Sequence, residues 1–130
     1  MRTPKWSRIM SRKRIPNPDR IRQVPDQFSW VDHCLVRHGH IRNKSAPALA
    51  LYLFLVTVGD KAGVSYYGDE RIGIELGLAG PDLSRARREL LDAQLIAFAT
   101  PYYQVLQLPA LEALREAQFA TNLLGRGDAS

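Results

Sequence analysis

DERIGIELGLAGPDLSRARRELLDAQLI, residues Asp69 to Ile96, is the stretch whose reading decides the fold. Its first part predicts a helix from Asp69 to Leu76. Asp69 and Glu70 stand at the positive N-terminal end, where acids are favoured. Ile72, Leu76 and Leu78 recur at helical spacing. Gly77 is placed to stop that helix in the left-handed conformation glycine tolerates. Leu78-Ala79-Gly80 then makes a tight turn, and Pro81 suits the first turn of a second helix reaching about Ala93. Leu83, Ala86, Leu90 and Leu91 repeat along it at helical spacing. Two short helices around a glycine-containing turn read as a helix-turn-helix.

Working downstream, Leu95-Ile96-Ala97-Phe98-Ala99 reads as a strand, Thr100-Pro101-Tyr102 as a turn, and Tyr103 to Leu108 as a second strand stopped by Pro109. Val105 is expected on one face of that second strand, with Leu106 and Leu108 on the other. Leu111, Leu114, Ala117 and Leu124 carry a further helical spacing, which predicts an extra C-terminal helix over residues 110–125 before a frayed tail, 126–130. Upstream, Phe28, Trp30, Val31, Leu35 and Val36 form an apolar lead-in, either a short strand or a helical turn. Ser45 is a good N-cap and Pro47 fits the first turn of the helix that follows. Leu49, Leu51, Tyr52, Leu53, Phe54, Leu55, Val56 and Val58 make that helix apolar nearly all round, the mark of a core element. Gly59-Asp60-Lys61-Ala62-Gly63 turns the chain, and Val64 to Tyr67 is a candidate extended piece.

The Asp69–Ile96 stretch resembles the bacterial winged-helix pattern: a support helix, a Leu76-Gly77-Leu78 turn, a recognition helix with Leu83 and Leu90 inward, and Leu95-Ile96 opening the wing hairpin. The lead-in, the Ser45 cap and the Leu49 to Val58 helix are similar to the N-terminal domains of bacterial replisome-organiser and plasmid replication-initiator proteins. The resemblance covers about Phe28 to Pro109. It implies an α+β, mostly α fold: a winged helix-turn-helix over residues 26–109, with a short two-stranded wing and an extra C-terminal helix. It also implies double-stranded DNA as the partner. Winged helices serve repressors, initiators and docking modules alike, so transcription regulation and a replication or mobile-element role both stay open.

Charge agrees with a polyanion partner. The chain has 130 residues and a net charge of +5. Residues 1–25 hold eight Lys/Arg against Asp19 alone, while the rest of the chain holds ten basic and twelve acidic residues. Four prolines and few large apolar residues predict that residues 1–25 are a disordered basic arm. Arg12, Lys13 and Arg14 would then lie along phosphates or enter a minor groove, the alternative being a solvated tail.

Candidate DNA contacts follow from helix geometry. The major groove, about 12 Å wide, admits one helix. With Leu83, Ala86 and Leu90 inward, Ser84, Arg85 and Arg88 share the outward face, and Arg87 lies at its edge. Arginine can grip guanine O6 and N7 with two hydrogen bonds or hold a phosphate. Asp82, Glu89 and Asp92 could instead pair with these arginines on a merely solvated face. The wing tip carries no Lys or Arg. Tyr102, Tyr103 and Gln104 could donate to phosphates there, or the tyrosines could pack on the domain or a partner.

Other chemistry finds little support. No apolar run reaches the roughly 18 residues a membrane span needs, no signal-peptide core follows the basic N-terminus, and the single Cys34 excludes an internal disulfide. A cytoplasmic, non-membrane protein is the expectation. His33, Cys34, His38 and His40 match no common zinc spacing, Gly59 to Gly63 lacks the spacing of a phosphate loop, and no nucleophile has an evident base and orienting acid. No metal, cofactor or enzymatic activity is expected. A homodimer, matching DNA inverted repeats, and a place in a larger nucleoprotein complex both remain open as partners.

Overall fold

The computed structural model describes residues 14–110. Within them lie four helices and three strands: α1 (Cys34–Arg37), α2 (Ala46–Val58), β1 (Val64–Tyr66), α3 (Asp69–Leu76), α4 (Gly80–Asp92), β2 (Ile96–Ala99) and β3 (Tyr102–Val105). The class is α+β, mostly helical, with a small antiparallel sheet in the order β1-β3-β2. Residues 1–13 and 111–130 lie outside the described part. The expected helix over 110–125, the tail 126–130, and Arg12 and Lys13 of the arm therefore fall there, Ala110 excepted. Of the arm, residues 14–25 are exposed, with one 3-10 turn at Pro18–Arg20.

Local chemistry sets the helix ends. The Ser45 hydroxyl oxygen accepts from the Ala48 N–H at 3.2 Å, and Pro47 sits in the first turn of α2. Across the fold, the Ser45 N–H and hydroxyl both donate to the carboxylate of Glu89 on α4, the N–H at 2.9 Å. The two hydrogen bonds hold the Glu89 carboxyl below its ordinary pKa, the hydroxyl acting most strongly. A polar tie thus fixes the start of α2 on α4. At the far end of α3, Gly77 has φ +66° and the Leu78 N–H returns to the Gly73 carbonyl at 2.9 Å. This left-handed cap makes the short turn into α4.

The core gathers Leu51 and Leu55 from α2, Ile72 from α3, and Leu83, Ala86 and Leu90 from α4. Leu95, Ile96 and Tyr103 join them from the sheet and its approach. α2, apolar nearly all round, is only partly enclosed by the described residues. Ala48, Leu51, Tyr52 and Leu55 are buried, Leu49 and Val56 are half-buried, and Leu53 is 63% exposed.

The sheet departs from the two-stranded expectation. Val64–Tyr66 pairs with β3, so the hairpin of β2 and β3 gains a third strand. Gly63 extends that ladder, its carbonyl accepting from the Val105 N–H at 2.8 Å. It does so at φ +80°, where an added Cβ would lie 2.5 Å from the Val105 carbonyl oxygen, so only glycine fits. β3 also begins one residue earlier than expected and stops at Val105: the Leu106 N–H still meets the carbonyl of Leu95 opposite it at 3.0 Å, but the Leu95 N–H turns back to the Leu90 carbonyl of α4 at 3.0 Å, and the ladder ends there. Ser65, Tyr103 and Phe98 stand opposite one another on neighbouring strands and share the face toward the helices.

Candidate nucleic-acid interface

α4 carries the face singled out in the sequence. Leu83, Ala86 and Leu90 are buried, while Ser84, Arg85 and Arg88 are exposed along its outer side. The Arg85 and Arg88 side chains keep 75% and 74% of their accessible surface. Each has an acid on its own helix: Arg85 meets Asp82, and Arg88 lies 4.0 Å from Asp92. Such pairs, in water and between mobile side chains, are weak. No side chain caps the start of α4, where Ala79 is the N-cap and Asp82 the acid of the first turn.

Arg87 does not belong to that face, and here the sequence expectation is corrected. Its side chain is only 15% exposed. Nε donates to the Tyr103 hydroxyl at 2.9 Å, an Nη donates to the Asp69 carboxylate, and the guanidinium lies 4.7 Å from the centre of the Phe98 ring. Burial disfavours its charge, yet the bonds to Asp69 and Tyr103 outweigh this and raise its pKa further. Arg87 is therefore a clamp joining α3, α4 and the sheet.

Tyr103 is corrected with it. It does not reach for phosphate, and of the two readings for the wing tyrosines packing on the domain holds: it is 1% exposed and its hydroxyl is occupied by Arg87. The turn is made by Thr100 and Pro101, so Tyr102 already lies in β3, opposite Ala99. Alternation along the strand then sends Tyr102 and Gln104 outward and Tyr103 inward. Of the three hairpin residues expected to donate to phosphates, Tyr102 and Gln104 remain exposed. Tyr102 meets the exposed Tyr66 of β1 edge-on, ring centres 5.6 Å apart. These two residues lie on the outer face of the sheet. Arg14 is exposed.

The roles of Tyr66, Asp69 and Phe98 were not legible in the sequence. Asp69 and Arg87 are 18 positions apart and joined through tertiary packing alone. Tyr66 carried a faint signal, as an aromatic in a candidate extended segment. Among the described residues, no three of His, Cys, Asp and Glu converge as a metal site would require. His40 is buried with its Nε2 unpartnered. Burial first, and then the nearby His38, lower its pKa. No helix of the described residues is long and apolar enough to cross a membrane. Compared with family models, curated proteins and solved structures, the chain finds no match.

Proposed function

We propose that this chain is a winged helix-turn-helix protein that binds double-stranded DNA, with α4 entering the major groove. The observation that carries the reading is the outer face of α4. Ser84, Arg85 and Arg88 stand exposed there, on a helix whose opposite side is locked into the core. The element order supports it too: α2, β1, α3, a tight turn, α4 and the β2-β3 hairpin follow the order in which winged helices are built. Arg85 and Arg88 read base edges or grip phosphates, Ser84 supports them near the helix start, and Tyr102 and Gln104 reach the backbone from the hairpin. Arg12, Lys13 and Arg14 add sequence-independent attraction. The setting is a bacterial cytoplasmic one, in transcription regulation or in replication or mobile-element machinery.

The test is selection of bound sites from random duplex DNA, followed by mobility-shift titration. Arg85→Ala and Arg88→Ala should each weaken binding to the selected site by about 1–3 kcal/mol while leaving the melting curve unchanged. Unaltered affinity in both variants refutes the assignment. Replacing Arg12, Lys13 and Arg14 with alanine should flatten the dependence of affinity on salt, since fewer counterions are released. An identical slope removes the arm from the interface.

A second reading is a winged helix that docks a protein inside a larger nucleoprotein complex. The observation favouring it is that Arg85 and Arg88 each face an acid on their own helix, beside a hairpin turn without charge. It predicts stable co-purification with a protein partner and little DNA affinity at physiological salt.

A further inference from the structure

The described residues leave a partly apolar surface open. A groove of about 450 Å³ runs between the lead-in and the ends of α2 and β3, with Trp30, Val31, Tyr52, Val56, Leu106 and Leu108 among its walls. Trp30 lies along it 77% exposed. The lead-in is tied to the end of α2, the Ser29 hydroxyl donating to the Thr57 carbonyl at 3.3 Å, so the indole is held near the groove. The groove continues onto α2. Leu49, Leu53 and Val56 are spaced i, i+4 and i+7, so they share one helix face, and that face is exposed or half-buried. Water-facing leucine and tryptophan surface of this extent marks a site where something apolar binds.

We infer that this surface is the seat of the chain's own residues 111–124, packed back in the same molecule. Two observations select that occupant. The chain leaves the described part from the wall of the groove itself, since Leu106, Gln107 and Leu108 line it, so the following segment has no linker to span. That segment has Leu111, Leu114, Ala117 and Leu124 at helical spacing, an apolar stripe to set against Trp30 and α2. The tether decides between the same molecule and a second copy. A segment joined this closely acts at an effective concentration on the order of millimolar, far above the concentration of free partner copies.

The experiment uses the full chain. Trp6→Phe leaves Trp30 as the single tryptophan, because the sequence holds two. The proposal expects blue-shifted Trp30 fluorescence and several-fold weaker acrylamide quenching than an indole in water gives, unchanged by dilution. Leu114→Asp in the same background should shift the emission red and restore quenching. Far-UV circular dichroism should still report a folded domain. Should the aspartate variant not fold, Leu114→Ala is read in the same way, with a smaller expected change. Three outcomes overturn the inference: water-like emission in the Trp6→Phe chain, protection that appears only as concentration rises, or protection indifferent to position 114. The second would assign the surface to another copy.

Discussion

Replacing Arg87 separates a clamp from a DNA contact. Arg87→Ala removes a charged hydrogen bond to the buried Tyr103 hydroxyl, of a kind worth about 1.5–3 kcal/mol. It also removes a cation–π contact with Phe98 of about 1–2 kcal/mol in a largely desolvated setting. The ion pair to Asp69 adds little, because that carboxylate is 58% exposed and screened by water. The hydrogen bond and the ring contact share one guanidinium and do not simply add, which puts the expected loss at about 2–4 kcal/mol. For a domain of this size that is roughly 10–25 °C in melting temperature. Asp69→Asn, by the same reasoning, should cost under about 1 kcal/mol. The assay is urea unfolding at neutral pH followed by far-UV circular dichroism, with the slope checked for constancy across variants. Loss of less than about 0.5 kcal/mol in Arg87→Ala would refute the clamp, since that is the range of an ordinary surface substitution. An Asp69→Asn loss equal to that of Arg87→Ala would also refute it, for then the ion pair and not the buried contacts would be holding the arginine.

Two further outcomes follow from particular residues. Gly63→Ala should destabilise the sheet by about 1–3 kcal/mol, because the new methyl meets the Val105 carbonyl while the backbone stays at positive φ; an unchanged unfolding midpoint would show that the ladder does not pass through Gly63 as described. His40 should make stability fall with acid. Its folded pKa lies below the ordinary 6.5, so the unfolded chain takes up the proton first as pH drops. The stability it contributes is present above about 6.5 and is lost as pH falls from there toward the folded pKa. The carboxylates of Glu89 and of Asp32, whose pKa is lowered first by the Cys34 N–H donating to it at 2.8 Å, act in a lower window, because theirs is stability lost as pH falls below the ordinary carboxyl range. His40→Gln should therefore flatten the pH dependence just below 6.5 and leave the more acid limb; a slope identical to the parent's would contradict the burial of a neutral imidazole.

Most of the helical framework could be read directly from residue spacing and caps. Ser45 and Pro47 marked the start of α2, Gly77 the end of α3, and the Leu83, Ala86, Leu90 spacing the inward side of α4, leaving Ser84, Arg85 and Arg88 outside. These features are local: hydrogen bonds four residues apart and side chains recurring every 3.6 residues are written into short stretches of chain. Tertiary structure decided what local spacing does not carry. Whether Val64–Tyr66 became a strand depended on β3, some forty residues away, offering its free edge. The pairing register of β3, with Tyr103 opposite Ser65 and Phe98, decided which face of the strand went inward, turning Tyr103 into the core and Tyr102 out, and a one-residue shift of that register would reverse every side chain. That inward tyrosine, with Phe98 and Asp69, then drew Arg87 off the arginine face and made it part of the frame that holds the other two in place.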